Sequence, residues 1–352
     1  MTDDTRRTPQ GTDRMVAMKQ TLLFSLLLAL AAPAQAQDKV GTTAAAFLGI
    51  GVGARATAMG GAQVAQAHGP SALYWNPSAI TDMATNGAEF SNSQWFIDTR
   101  HQHVALVLNA GNLGHFGVSV NALTYGDEFV TTIEQPDGTG ELWDALDLAV
   151  GVSYAKALTD RFSVGGTVKF VRQQIWNESA SGGAFDLGVT YDTRLRGIRI
   201  GMAMTNFGTD MRMSGTDLRQ AIDIAPGEAG NNDGNAANLE VDAWPMPLIF
   251  RVGVSATPIQ AGDQQLTVSV DGNAPSDAAQ SANLGAEYGW REILFVRGGW
   301  RQAFGPAEDG GWTAGFGLHY ALNRRFGGYF DYVFQEYEPF GTQQMFTLGV
   351  TF

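Results

Sequence analysis

From near residue 87 to its last residue the chain repeats one pattern. Segments of about ten residues alternate apolar with small or polar side chains, a period that only a strand with two unlike faces satisfies. In 143–158, Leu146, Leu148, Val150, Val152 and Tyr154 fall on one face and Asp147, Ala149, Gly151 and Ser153 on the other. In 161–176, Phe162, Val164, Val168 and Phe170 oppose Ser163, Gly165, Thr167 and Lys169, and only Thr159-Asp160 lies between the two segments. That is a hairpin turn. Extending the reading predicts strands near 87–96, 102–109, 113–125, 143–157, 161–175, 183–193, 197–206, 247–257, 264–272, 281–289, 292–301, 311–321, 326–336 and 342–352, an antiparallel transmembrane β-barrel of about 14 strands.

The connections order themselves as such a barrel requires. Those at 110–112, 159–160, 194–196, 258–263, 290–291 and 322–325 are short, as periplasmic turns are, whereas 126–142, 207–246 and 302–310 are long, as outer loops are. Trp95, Trp143, Trp176, Trp244, Trp300 and Trp312 fall at the expected outer ends, and Tyr154, Phe162, Tyr191, Tyr288, Trp290, Tyr320 and Phe326 at the inner ends. Two belts about 25 Å apart are what rings at two lipid interfaces produce. A soluble sandwich or propeller would not order its connections in this way. The inward faces are expected to hold Asp147, Lys169, Asp186, Arg199, Arg251, Asp271, Glu287, Arg297 and Asp331 among Gly, Ala, Ser and Thr, a wet or plugged lumen without an apolar run to line a pocket.

One stretch does not alternate. Residues 51–81 are rich in Gly and Ala, with a short helix expected from Ala54 to Met59, stopped by Gly60-Gly61, and with Pro77 keeping Asn76 out of the helical region. A compact irregular segment ahead of a large barrel is most economically placed inside it, as a plug. Ala54-Arg55-Ala56, then Ala58-Met59-Gly60-Gly61-Ala62, followed by Ser71 through Tyr74-Trp75-Asn76-Pro77, resembles the N-terminal hatch of FadL-like outer-membrane barrels, most nearly the PorV/PorQ branch. The Asn-Pro-Ala of that family is Asn76-Pro77-Ser78 here. The hatch positions singled out by the resemblance are Arg55, Met59, Gly60, Gly61, Tyr74, Trp75, Asn76 and Pro77.

The N-terminus reads as an export address, with Lys19, an apolar core at 22–32 and small residues at Ala34-Gln35-Ala36. The start is Met1 or Met18, the latter directly preceding Lys19, and Gln37 is the expected first mature residue. The apolar core is too short to span a bilayer, and no later stretch approaches the ~20 residues a spanning helix needs. The expected organisation is an extension and signal peptide at 1–36, a hatch at 37–84 and the barrel at 85–352. The final strand sets Phe346, Leu348, Val350 and terminal Phe352 on one face, resembling the sorting signal that barrel-assembly machinery reads in outer-membrane proteins. The expected location is the outer membrane of a Gram-negative-type bacterium, with its lipid as a partner.

Residue chemistry narrows the function by exclusion. Lys+Arg 22 against Asp+Glu 35, a net charge of −13, argues against nucleic acid as a partner, and the absence of cysteine removes disulfides, thiolate metal sites and thiol catalysis. Gly51-Val52-Gly53-Ala54-Arg55-Ala56 matches a dinucleotide pattern but lacks the strand and helix that make one work. His101 and His103 share a strand face without a third ligand and read as a solvated strand end. The acidic loop 207–245, with Asp210, Asp217, Asp223, Glu228, Asp233, Glu240 and Asp242, lacks the spacing of a calcium loop and reads as a mobile acidic segment. No enzyme, cofactor or metal is expected. The resemblance implies either an interaction protein of type IX secretion, binding cargo or machinery, or passive uptake of hydrophobic compounds such as long-chain fatty acids. A mature length short for a transporter with elaborate helical outer loops, and the lumen's lack of an apolar run, favour the first, with the 207–245 loop, Trp244, Trp300 and Trp312 as its contact surface.

Overall fold

The computed structural model describes residues 41–352 except 194, 196, 226, 228–233, 305–309, 324–325 and 339. The expected signal peptide and its cleavage site lie outside the described residues, as do Glu228 and Asp233 of the acidic loop.

Among the described residues, fourteen long strands make one closed antiparallel meander. They are β1 Gly87–Gln94, β2 Arg100–Asn109, β3 His115–Thr124, β4 Ala145–Ala157, β5 Phe162–Ile175, β6 Glu178–Asp192, β7 Arg199–Gly208, β8 Ile249–Ala261, β9 Gln264–Pro275, β10 Ser281–Trp290, β11 Leu294–Ala303, β12 Gly311–Ala321, β13 Gly327–Tyr337 and β14 Gly341–Thr351. Each pairs with the next, and β14 returns to β1 with Thr351 opposite Gly87 and Gln344 opposite Gln94. No edge is left to template aggregation. A short hairpin, Glu128–Phe129 with Leu142–Trp143, and another, Arg219–Ile222 with Asn235–Asn238, stand on the long-loop end.

Alternation sets the two faces. In β4 the buried positions are Ala145, Asp147, Ala149, Gly151, Ser153 and Ala155, while Val152 and Tyr154 are exposed. Around the barrel, Val104, Val118, Val168, Phe170, Leu187, Val254, Val270, Val296, Phe316, Leu348 and Val350 point outward and are exposed. An apolar band of that extent is tolerated against lipid and not against water.

The strands differ from the sequence expectation in two places, each with a local cause. β6 begins at Glu178 rather than near 183, because Glu178 through Gly182 still pairs with β5, and Ser and Gly residues there hide the alternation. The β5–β6 connection at the outer end is therefore only Trp176-Asn177, with Trp176 at φ 48, and not a long loop. β8 continues past 257 to Ala261 after a register shift between Ala256 and Ile259. In the expected outer aromatic belt, Trp176, Trp300 and Trp312 are half-exposed, but Trp95 follows the inward parity of β1. It turns over the lumen mouth and packs on Phe96 and Tyr337.

Residues 45–83 are almost all buried, and against inward-facing wall side chains. This segment holds a 3-10 turn at Ala46–Gly49, helix α1 at Ala54–Ala58, helix α2 at Ala72–Trp75 and a 3-10 turn at Pro77–Asp82. Its main apolar cluster joins Leu73, Trp75 and Ile80 to Ala105, Val107 and Ala155 of the wall.

Candidate functional site

α1 is short because its flanks forbid more. Gly53 precedes it at φ 79, and after Met59 the chain turns through Gly60 at φ 65 and Gly61 at φ 75, a backbone region that residues with a Cβ enter at a cost. Space adds to the requirement, since a Cβ on Gly60 would lie 2.7 Å from the carbonyls of Leu284 and Trp300. The wall answers with its own small residues: a Cβ on Gly285 would meet Met59, one on Gly299 the Gly60 backbone, and one on Gly315 the Ala58 methyl. Main chain therefore seats on main chain, and Thr313 closes the seam by donating to Ala58 O (2.8 Å) and accepting from Gly60 N (3.0 Å). Ala54 N donates to Thr347 Oγ1 at 2.8 Å.

Below the seam lies an ion network. Arg55 reaches Glu287 with two parallel bonds of 2.9 Å, and Glu287 also accepts from Arg297 at 2.6 Å, which in turn donates to Asp331 at 2.6 Å. Glu287, Arg297 and Asp331 are buried, and only mutual pairing makes such burial tolerable. Opposite α1, Asn76 is fully buried and uses its whole amide. Its Nδ2 donates to Val64 O (2.7 Å) and to Val189 O of β6 (3.1 Å), and its Oδ1 accepts from Ser78 N (3.2 Å) and Ser78 Oγ (2.7 Å). Asp271 of β9 accepts from Val64 N at 2.7 Å. Arg251 lies over the Trp75 ring at 5.5 Å and the Tyr74 ring at 5.9 Å, Trp75 donates to Val52 O, and Tyr74 to Leu48 O.

The structure thus gathers Arg55, Met59, Gly60, Gly61, Tyr74, Trp75, Asn76 and Pro77 into one buried body within the lumen. It places Phe346, Leu348, Val350 and Phe352 elsewhere, on the outward face of β14. The inward charges expected from the alternation all face the lumen, Lys169 on Asp186 (2.7 Å) and Arg199 on Asp82 among them. His101 and His103 are a correction: both are 2 % exposed, not solvated, because the lumen beside β2 is filled. Among the described residues no three His, Asp or Glu side chains are grouped to hold a metal ion.

The lumen also corrects the expectation that nothing apolar lines it. Toward the long-loop end, Phe47 and Leu48 pack with Leu123, Ala149, Val171, Ala180, Ala184, Met211 and Met246. Each strand contributes one or two of these side chains, so no single segment showed an apolar run; only the closed barrel assembles them.

A family model for the type IX secretion system protein PorV matches residues 33–213, more than half of the 352 residues. The chain belongs to the PorV family. Among solved structures, this PorV-family chain is similar to the Pseudomonas putida toluene transporter TodX at TM-score 0.54 and 14% identity, over 85% of this chain and 97% of that one. It is likewise similar to the Ralstonia pickettii toluene transporter TbuX at TM-score 0.52 and 17% identity, over 85% and 97%. A Pseudomonas aeruginosa FadL homologue aligns at TM-score 0.51 and 14% identity, over 90% and 99%. No curated relative matches the sequence. Identities this low establish the fold, a FadL-like barrel, and PorV membership together with the apolar outer band places it in the outer membrane of a Gram-negative bacterium.

Proposed function

We propose that this barrel is a non-enzymatic adaptor of type IX secretion that binds exported cargo or a second secretion component through its outer face. Residues 37–84 serve as its plug, and the outward row Phe346, Leu348, Val350 and Phe352 is the signal read by barrel-assembly machinery. The family supports the secretion context, and one structural observation carries the binding mode. At the long-loop end, beyond the lipid-facing band, Ile97 is 93 % and Ile133 96 % exposed, with Phe129 and Phe340 exposed beside them. Ile97 and Asp98 sit at φ 50 and 53, a conformation that costs a β-branched residue of order 1 kcal/mol and holds Ile97 out at the tip of its turn. Apolar anchors of this kind, with Asp127, Glu128, Glu134 and Asp137 in the same loop as Phe129 and Ile133, suit a protein partner. Trp300 and Trp312, expected among these anchors, instead pair across β11 and β12 on the outward face.

The test is co-purification from native membranes. Deleting 223–238, or combining Ile97→Asp, Ile133→Asp and Phe340→Asp, abolishes recovery of cargo or secretion components while the folded barrel persists. Undiminished recovery from both variants would sink the adaptor reading. A second reading, passive uptake of apolar compounds, draws on the outer apolar cluster around Phe47 and Met246 and on the likeness to toluene transporters. In this chain Phe47 and Leu48 already occupy that cluster, which ranks uptake second. Saturable uptake of a labelled fatty acid or of toluene into reconstituted vesicles would reverse the order.

A further inference from the structure

Two cavities lie in the lumen, one on each side of α1. The outer one, about 220 Å³, is bounded by Thr57, Gly60 and Gly61 and lined by Arg251, Asn283 and Arg301. The inner one, about 350 Å³, is bounded by Gly53 and Arg55 and lined by Glu89, His319, Tyr329 and Asp331, and it reaches the short turns through Asp82 and Glu292. The seam described above runs between them, with the backbone of Met59 and Gly60 and the Ala58 methyl seated on Gly285, Gly299 and Gly315.

The hatch is held unequally on its two flanks. Around α2 it buries Leu73, Tyr74, Trp75 and Ile80 in a large apolar cluster with the wall, which water cannot replace. At α1 the apolar contact with the wall is small, Ala54 and Ala58 with Val333 and Met345, while Ala56 alone of the helix joins the larger cluster; the other fasteners to the wall are polar, Thr313, Thr347 and the Arg55–Glu287 pair. Water from the cavities can satisfy each of those groups when the seam parts, so this flank is the one that opens at least cost. When Arg55 leaves, Glu287 keeps Arg297 as a partner and no buried charge is stranded.

We propose that the two cavities are the ends of one closed passage for small polar solutes, with α1 and the Gly60-Gly61 turn as its gate and the Arg55–Glu287 pair as its latch. Apolar groups such as Met83, Trp75 and Ile249 line parts of both cavities, so the solute class is set at the latch between them, where Arg55, Glu287 and Arg297 favour a hydrogen-bonding molecule and an apolar one would leave those charges without compensation. The route runs along the barrel axis beside β10–β13, away from the Asn76 flank.

Because the chain contains no cysteine, single thiols report on the path without background. The full barrel is reconstituted into liposomes, and swelling is followed in a small sugar or amino acid. The unmodified protein is tight. Arg55→Met raises the swelling rate at least about tenfold, since even one of the two charge-assisted hydrogen bonds it removes is worth that factor. In that background, Ser281→Cys in the outer cavity and Thr351→Cys in the inner one each allow a bulky thiol reagent to block the leak. Thr313→Val, which removes the hydroxyl from the seam at constant volume, serves where Arg55→Met does not assemble. A correctly folded latch variant no leakier than the unmodified protein overturns the proposal, and so does a leak that labelling at Ser281→Cys and Thr351→Cys leaves unchanged.

Discussion

Asn76→Ala tests whether one buried amide holds the hatch together and ties it to β6. Asn76 makes four hydrogen bonds at full burial, two donated to the carbonyls of Val64 and Val189 and two accepted from Ser78. Removing the amide leaves those partners unpaired in a space that alanine does not fill. Buried orphans cost about 1–3 kcal/mol each. Some relaxation and water entry offset part of this; because only the bond to Val189 O crosses to the wall and the other three tie the hatch to itself, it is the local fold of residues 62–80 together with that one wall contact that weakens, by about 3 kcal/mol or roughly a 150-fold rise in the opened population. Hydrogen exchange followed by mass spectrometry in detergent micelles reads that population, because the buried amides of residues 62–80, several of them bonded within the hatch, exchange when the segment opens. Their exchange accelerates by about 100-fold while the β10–β13 amides stay protected. Asn76→Asp keeps the acceptor for Ser78 but loses both donors, and behaves no better than alanine. Exchange within about threefold of the unmodified protein in Asn76→Ala would refute the accounting, since it would mean that the amide holds nothing that the apolar cluster around Leu73 and Ile80 does not already hold.

Phe47→Ala opens the outer apolar cluster without touching the hatch seam; the variant binds an apolar fluorescent dye that the unmodified protein excludes, and loses about 3–5 kcal/mol of local stability if the space stays empty. Equal dye binding by both proteins would show that Phe47 does not fill a ligand-sized space. Phe352→Ser retains the backbone pair between Phe352 and Asn86 but removes the terminal ring from the outward face of β14, and the fraction of protein reaching the heat-modifiable, membrane-inserted form falls. An unchanged assembled fraction would separate the terminal aromatic from assembly.

Which parts of this molecule a sequence can disclose follows from where each constraint originates. Strand parity is local: Asp147 must face opposite to Leu148, and once lipid claims the apolar face, the lumen receives the charge. That is why the inward set from Asp147 to Asp331 was legible one strand at a time. The Gly60-Gly61 turn was legible for the same reason, since its backbone requirement is written in the residues that meet it. What the lumen contains is not local. The cluster around Phe47 draws Leu123 from β3, Ala149 from β4, Val171 from β5 and Met246 from a loop, and no wall strand contributes more than two members. His101 shows the same limit from the other side, because its parity was readable but its burial depends on what fills the space opposite. Pairing within the lumen behaves likewise: alternation put Glu287 and Arg297 on the inner face, but only the closed barrel sets Arg55, from a segment with no alternation at all, on Glu287 as its second arginine. In a plugged barrel the wall can therefore be read from periodicity, whereas the behaviour of the plug rests on contacts such as Arg55 with Glu287 and Asn76 with Val189. These join residues far apart in sequence, and their strength has to be measured residue by residue at the seam.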